Sequence, residues 1–242
     1  MHLLLKITAV LALILIAWGI SINLQKHEEI KGMRTSQAKI TEKLFQETVK
    51  EPSEPEEPAV PENPDFRAML VFESGLIELP VVQGYNNEFY LTHLYDGSEG
   101  MIGTLFFDMQ CEEEDEVRII YGHSVFDEPS LMFTPLHMLV SQETFEENRF
   151  FDLKTPEKTE HYEIFAVLIN DEESESALST RIRGFYDETE RMQYLSEVGR
   201  RSLIQSLCSV DDNEKLLILS TCLDEEGSGR LCVFAALKGM NQ

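Results

Sequence analysis

From Asp65 onward, short β-branched or aromatic runs alternate with turn residues, and this rhythm constrains the fold more than any other feature. The runs are AMLVF, LIELPVV, MIGTLFF, VRIIYGH, YEIFAVLI, KLLILSTC and RLCVFAALK. Short strands at such spacing are typical of a closed or nearly closed β architecture. The sequence therefore predicts a mostly β domain over residues 65–242.

One stretch, residues 187–208, breaks this rhythm. Asp187 is a residue type that caps helix N termini. Apolar residues recur behind it at helical spacing: Met192, Leu195, Val198, Ile204 and Leu207. The pattern predicts a surface helix that crosses between two strands.

The N-terminal residues predict a membrane anchor. Residues 7–24, ITAVLALILIAWGISINL, are 18 consecutive uncharged and mostly apolar residues. As a helix they would be about 27 Å long, close to the thickness of a hydrocarbon core. We expect residues 1–24 to be an uncleaved anchor, with the rest of the chain outside the cell. A cleaved signal peptide is the alternative, although Ala17-Trp18-Gly19 is a poor small-x-small cleavage site.

Residues 25–64 predict a helix followed by a stiff spacer. Ile30, Met33, Ile40 and Leu44 have the spacing of a modest amphipathic helix. Proline then falls at every third residue, which is the period of a polyproline II helix: Pro52, Pro55, Pro58, Pro61 and Pro64. Such a spacer would extend about 37 Å and would hold a domain away from a membrane.

Charge and cysteine content exclude several classes of function. The chain carries 44 acidic and 20 basic residues, a net charge of −24, which argues against nucleic-acid binding. Its four cysteines form no C-x-x-C pair, so neither a disulfide scaffold nor a zinc site is expected. The acidic runs at 111–116 and 170–175 lack EF-hand spacing. We predict no required metal and no cofactor.

Three residues at the ends of apolar runs could carry out chemistry. Cys222 ends one run and Arg230 opens the next, with a Gly-containing turn, DEEGSG, between them. His123 ends VRIIYGH and is a candidate base. The alternatives are a buried structural thiol, a surface ion pair and a packing histidine. Three other histidines, His93, His137 and His161, are expected to be packing or surface residues.

The order of these residues resembles the sortases, cysteine transpeptidases of Gram-positive cell surfaces. Their T-L-x-T-C pattern corresponds to Ile218-Leu219-Ser220-Thr221-Cys222, with isoleucine in place of the first threonine, followed by Arg230 and preceded by IIYGHS at 119–124. Residues 80–108 and the predicted helix are similar to those of class B. The resemblance covers about residues 65–242. It implies a closed eight-stranded β-barrel, with an N-terminal helix and a long helix between the penultimate strands.

The resemblance also implies a reaction and its residues. Cys222 would attack a Thr-x bond of a sorting signal, His123 would transfer protons, and Arg230 would stabilise the oxyanion. The signal groove would be lined by Ser220, Thr221, Asn86 and Asn87. Asp224 would either orient His123 or belong only to the loop. Whether the cysteine and histidine start as a neutral pair or as an ion pair stays open.

The implied partners are sorting-signal peptides of secreted proteins and an amine of a peptidoglycan precursor or a pilin. The implied location is a Gram-positive-type cell membrane, with the catalytic domain outside. Two other functions are compatible with the same residues. One is a catalytically silent surface-binding module, and the other is a hydrolytic cysteine protease.

Overall fold

The computed structural model describes residues 11–12, 14–28, 30–32, 35, 63–171, 177–224, 226–227 and 229–241. It divides into two compact units, Met1–Val60 and Pro61–Gln242. In the first unit, residues 14–28 are helical. Within the described residues, no helix combines the length and apolar character needed to cross a membrane. Residues 1–10 of the predicted anchor and residues 36–62, which hold most of the predicted spacer, lie outside the described residues.

Within residues 63–241 as described, eight strands form a closed barrel, which confirms the expected fold. Around the barrel they follow the order β1-β2-β3-β4-β7-β8-β6-β5, and β5 pairs with β1 to close it. The strands are β1 Phe66–Phe72, β2 Glu78–Val82, β3 Leu105–Phe107, β4 Val117–Tyr121, β5 Phe150–Lys154, β6 Thr159–Asn170, β7 Leu216–Cys222 and β8 Arg230–Asn241.

Seven of the strands overlap the seven apolar runs, and β5 is the strand that those runs do not include. Its sequence, FFDLK, does alternate as a strand should. Phe151 and Leu153 are buried, while the residues between and beside them are half-buried. With only two core positions and charged residues beside them, the apolar alternation is too short to indicate a strand from the sequence.

Two α-helices and two 3₁₀ helices accompany the barrel in its described part. They are the 3₁₀ helices Phe89–Leu91 and Thr134–Val140, α1 Gln142–Glu147 and α2 Glu188–Arg201. Helix α2 lies between β6 and β7, as predicted. Its cap is confirmed, because the Asp187 side chain accepts the Glu190 N–H at 2.9 Å.

The predicted end of this helix at residue 208 is wrong. Helix α2 ends at Arg201, and the Leu203 N–H then donates to the Val167 carbonyl of β6 at 2.7 Å. Ser206 likewise donates through its hydroxyl to the Ile164 carbonyl at 3.2 Å. Hydrogen bonding to the neighbouring strand therefore replaces helical bonding, and Leu207 is left 93% exposed.

Two strand pairings bring the candidate residues to one end of the barrel. Strand β4 runs parallel to β7, and the last register pair is Tyr121 with Ser220. Strand β7 runs antiparallel to β8, and its final pair is Cys222 with Arg230. His123 and Cys222 each lie two residues beyond the Tyr121–Ser220 pair. Both chains therefore leave the parallel ladder at the same rim.

Gly122, just before His123, is a point of close packing. A Cβ atom there would lie 2.3 Å from Cδ2 of Leu105 and 2.7 Å from Cδ2 of Phe133. Both neighbours are buried in the core. Because residue 122 has no side chain, the chain can carry His123 to the rim without displacing these neighbours.

Substitution of Gly122→Ala should therefore destabilise the protein by about 1–3 kcal/mol, because the added methyl overpacks the core. The matched control is Gly199→Ala in α2, where an added Cβ has nothing within 4 Å. That control should be neutral or stabilising by up to about 1 kcal/mol, because alanine favours helix. Urea unfolding followed by circular dichroism measures both changes. Equal unfolding midpoints for the two variants would contradict the packing argument.

Candidate active site

Cys222 and Arg230 face each other across the end of the β7–β8 pair. The Leu223 N–H donates to the Gly229 carbonyl at 3.0 Å, so the Cys222–Arg230 pair is of the non-hydrogen-bonded type, in which side chains approach closely. Nη1 of Arg230 donates to Sγ of Cys222 at 3.4 Å. Both residues are half-buried. The fold thus brings a cation into contact with a partly accessible thiol.

His123 lies beside β7 at the same rim. The Gly122 N–H donates to the Ser220 carbonyl at 3.2 Å, so the ladder extends to the residue before His123. Nε2 of His123 lies 2.8 Å from the Leu91 carbonyl oxygen. A carbonyl only accepts hydrogen bonds, so the neutral ring carries its proton on Nε2. The lone pair is then on Nδ1, and that nitrogen is the one able to take up a proton.

Asn86 and Asn87 hold the segment that supplies the Leu91 carbonyl. Oδ1 of Asn86 accepts the N–H groups of Glu88 and Phe89 at 2.9 and 2.7 Å, at the start of the 3₁₀ helix. The Asn87 amide donates to Asp108 at 2.8 Å and accepts the Met109 N–H at 2.7 Å. These amides fix the backbone beside His123. Their predicted contact with substrate stays a prediction.

Ser220 and Thr221 point into the protein. Only 3% of Ser220 and 2% of Thr221 is exposed. The Ser220 hydroxyl lies 4.0 Å from Sγ of Cys232, and that of Thr221 lies 2.8 Å from the Ser124 hydroxyl. These contacts support the strand that carries Cys222, and groove lining by these side chains stays a prediction. Asp224 is half-buried in the β7–β8 turn, where its carbonyl accepts the Gly227 N–H at 3.2 Å.

A second histidine also lies beside Cys222. Nε2 of His137, in the 3₁₀ helix Thr134–Val140, is 3.1 Å from the Cys222 carbonyl oxygen and 2.9 Å from the Ser124 hydroxyl. Burial lowers the pKa of His137 below its ordinary value, although the hydrogen bond to the Cys222 carbonyl opposes this effect. His137, expected to be a packing or surface residue, therefore contacts the backbone of Cys222. Nothing in its local sequence distinguishes it, since the contact spans 85 positions.

The other three cysteines lie in different surroundings. Cys232 is fully buried, as expected of a small apolar side chain. Burial raises the pKa of Cys111 and raises that of Cys208 to about 11. All four cysteines are free thiols. The described part of the chain contains no cluster of three His, Cys, Asp or Glu residues suited to a metal ion.

Relatives with similar sequences are class B sortases. The chain is 27% identical to Sortase B of Listeria monocytogenes over 175 residues, which cover 71% of this chain and 69% of that protein. It is 25% identical to Sortase B of Staphylococcus aureus over 236 residues, which cover 94% of this chain and 93% of that protein. No protein-family model matches the chain.

Solved structures similar to this fold include structures of sortase B. Clostridium perfringens sortase B matches with a TM-score of 0.64 at 29% identity, covering 72% of this chain and 94% of that one. A Staphylococcus aureus sortase B–substrate complex matches with a TM-score of 0.72 at 20% identity, covering 88% and 98%. A structure of sortase B complexed with triglycine matches with a TM-score of 0.71 at 20% identity, covering 89% of this chain and 98% of that one.

The matches in sequence and in structure agree with a barrel that brings a thiol, a guanidinium and an imidazole to one rim. Together these similarities support a sortase class B-like protein.

Proposed function

We propose that this protein cleaves a C-terminal sorting signal of secreted proteins at a Thr-x bond and transfers the acyl part to an amine, through a thioacyl-enzyme at Cys222. The observation that carries the proposal is the contact of Arg230 Nη1 with Cys222 Sγ, at 3.4 Å, on the rim where the His123 segment also ends. A thiol in contact with a cation, on a rim that also carries a candidate base, is suited to nucleophilic catalysis.

Acylation is the first half of the proposed reaction. Sγ of Cys222 attacks the carbonyl carbon of the threonine, a C–S bond forms and the C–N bond to the next residue breaks. His123 gives a proton to the leaving nitrogen. Arg230 hydrogen-bonds the oxygen that becomes negative in the tetrahedral intermediate.

Transfer is the second half. An amine attacks the thioester carbon, passes its proton to His123 and displaces Cys222 as the C–S bond breaks. The Leu91 carbonyl supports this role, because it holds the His123 proton on Nε2 and leaves Nδ1 to exchange protons. A neutral pair and an ion pair as starting states differ only in where one proton resides, and both give the same products.

The proposed partners are a sorting-signal peptide and an amine of a peptidoglycan precursor or a pilin. The sortase B structures with substrate and with triglycine support these two classes of ligand. The proposed arrangement is a membrane anchor at residues 1–24, a spacer at 25–64 and a catalytic domain at 65–242 on a Gram-positive cell surface. Both substrates, a protein leaving the membrane and a lipid-linked precursor, would lie near that surface.

Cys222→Ala should abolish peptide cleavage and amine transfer, because it removes the only group proposed to form the acyl intermediate. The assay incubates the protein with sorting-signal peptides, with and without triglycine, and follows products by mass spectrometry. Wild type should give a Cys222-linked acyl adduct and a triglycine conjugate. The matched control is Cys208→Ala, at a half-buried thiol elsewhere, which should retain activity. Release to water alone, even with triglycine present, would instead indicate a hydrolytic protease.

Iodoacetamide at neutral pH should modify Cys222 before the other cysteines. Thiolates are the reactive form, and a pKa near 11 leaves Cys208 with about a hundredfold less thiolate than the ordinary value of 9 would. Cys111 also has a raised pKa, and Cys232 is inaccessible. Peptide mapping by mass spectrometry gives the order of modification, with Cys222→Ser as the control. Slow modification of Cys222, no faster than Cys111, would favour a silent binding module.

Arg230→Lys should lower kcat/KM by about 10²–10³-fold, because lysine keeps the charge but loses the planar fork of donors that faces the thiol and the oxyanion. The matched control is Arg200→Lys on α2, where the arginine pairs with Glu197 at the surface. That control should leave kcat/KM unchanged. Full activity of Arg230→Lys would mean that Arg230 contributes through its positive charge and not through the geometry of its donors.

A further inference from the structure

Two side chains contact the backbone carbonyl of the proposed nucleophile, and a third contacts one of them. We call Ser124, His137 and Thr221 the Cys222 clasp. The Ser124 hydroxyl lies 3.1 Å from the Cys222 carbonyl oxygen, and Nε2 of His137 also lies 3.1 Å from it. The Ser124 hydroxyl is in addition 2.9 Å from Nε2 of His137 and 2.8 Å from the Thr221 hydroxyl. The clasp thus joins three segments of the chain at one carbonyl.

The strand geometry explains why this carbonyl needs side-chain partners. Cys222 forms a non-hydrogen-bonded pair with Arg230, so its carbonyl points away from β8 and toward β4. The last parallel bond on that side runs from the Gly122 N–H to the Ser220 carbonyl. If the parallel ladder continued, the next bond to a β7 carbonyl would join the Ser124 N–H to the Cys222 carbonyl. In that place the Ser124 hydroxyl and the His137 ring contact the oxygen instead.

The chain beyond His123 turns back so that both groups can reach it. Ser124 forms an antiparallel bridge with Met132, and the Phe133 N–H donates to the His123 carbonyl at 3.0 Å. The 3₁₀ helix that begins at Thr134 then places His137 over the end of β7. The same reversal therefore holds His123 and supplies the clasp.

The protons of the clasp follow from its acceptor. A carbonyl oxygen only accepts, so Nε2 of His137 carries a proton and the Ser124 hydroxyl donates. The Thr221 hydroxyl can then donate to the Ser124 oxygen. The Nε2–H is present both in this neutral tautomer and in the protonated ring, so its donation does not depend on pH. Burial lowers the pKa of His137 and favours the neutral form.

We propose that His137 and Ser124 are positioning residues, which hold the Cys222 carbonyl and so fix the nucleophile relative to His123. The inference deepens the function proposed above and rests on it. Ser124 is the residue after His123, so one set of hydrogen bonds sets the spacing of the segments that carry the base and the thiol. A partly buried carbonyl that loses such donors would shift to find others, and a shift of about 1 Å between reacting groups can cost about a hundredfold in rate.

The test compares His137→Ala with His137→Gln in the full-length chain. The glutamine amide can place an N–H near the position of Nε2 but cannot titrate. We expect His137→Ala to lower kcat for transfer to triglycine by about 10- to 100-fold with little change in KM. His137→Gln should recover most of this loss and keep the wild-type pH profile. Ser124→Ala should lower kcat in the same direction.

A second measurement separates this inference from the proposed function. The rate of Cys222 alkylation by iodoacetamide reports the position and surroundings of the thiol without any peptide substrate. His137→Ala should change this rate, while His137→Gln should not. Thermal unfolding identifies any variant that merely fails to fold, and the matched control is His161→Ala, a half-buried histidine that pairs with Asp152 on β5. That control should leave both rates unchanged.

Two results would overturn the inference. Wild-type kcat and alkylation in folded His137→Ala would mean that the clasp does not position Cys222. Equal loss of activity in folded His137→Ala and His137→Gln would mean that His137 titrates in the reaction, which is a role as a base and not as a donor. If no peptide is turned over even by wild type, the proposed function fails, and the alkylation rates still decide whether the clasp sets the thiol.

Discussion

The parallel pairing of β4 with β7 is the constraint on which the site depends. Two parallel strands that end together deliver the residues after them to the same rim, and His123 and Cys222 both lie two positions beyond the Tyr121–Ser220 pair. The antiparallel β7–β8 pair then adds Arg230 opposite Cys222. Three residues, separated by up to 107 positions in the sequence, reach the same rim because of two hydrogen-bonding registers. Neither pairing could slip without moving side chains to the opposite face of the sheet.

Backbone carbonyls assign the protons of both histidines at this rim. The Leu91 carbonyl holds the proton of His123 on Nε2, and the Cys222 carbonyl does the same for His137. Leu91 is held in turn by its 3₁₀ helix, whose first turn is bonded to Asn86. The segment around residues 86–91 therefore supports the proposed catalysis through the backbone, whether or not its side chains also touch substrate. This role requires no particular residue at position 91, because every residue type offers a carbonyl.

Local chemistry in the sequence made part of this structure predictable. Runs of β-branched residues marked seven strands, and Asp187 marked the start of α2, because both signals depend on neighbours in sequence. Strand β5 has only two core positions, and α2 ends where Leu203 bonds to β6. Neither this strand nor this helix end could be predicted from the neighbouring sequence. The contact of Arg230 with Cys222 follows from a short hairpin and was predictable. The contact of His137 with Cys222 depends on the chain reversal after His123, and nothing in the sequence near His137 indicates it.

The two histidines differ in what their surroundings allow them to do. His123 is bonded to a carbonyl through Nε2 and keeps Nδ1 as its proton acceptor, and a base must exchange its proton in each half of the proposed reaction. His137 is tied through Nε2 to a carbonyl and a hydroxyl, and Phe126 packs its ring edge-on against the imidazole, with 5.5 Å between ring centroids. Burial also lowers its pKa, which favours the neutral ring. These surroundings fit the proposed roles, proton exchange for His123 and hydrogen bonding for His137. At the end of β7, the His137 ring and the Ser124 hydroxyl replace the backbone bond to the Cys222 carbonyl, which is lost where the neighbouring strand turns away.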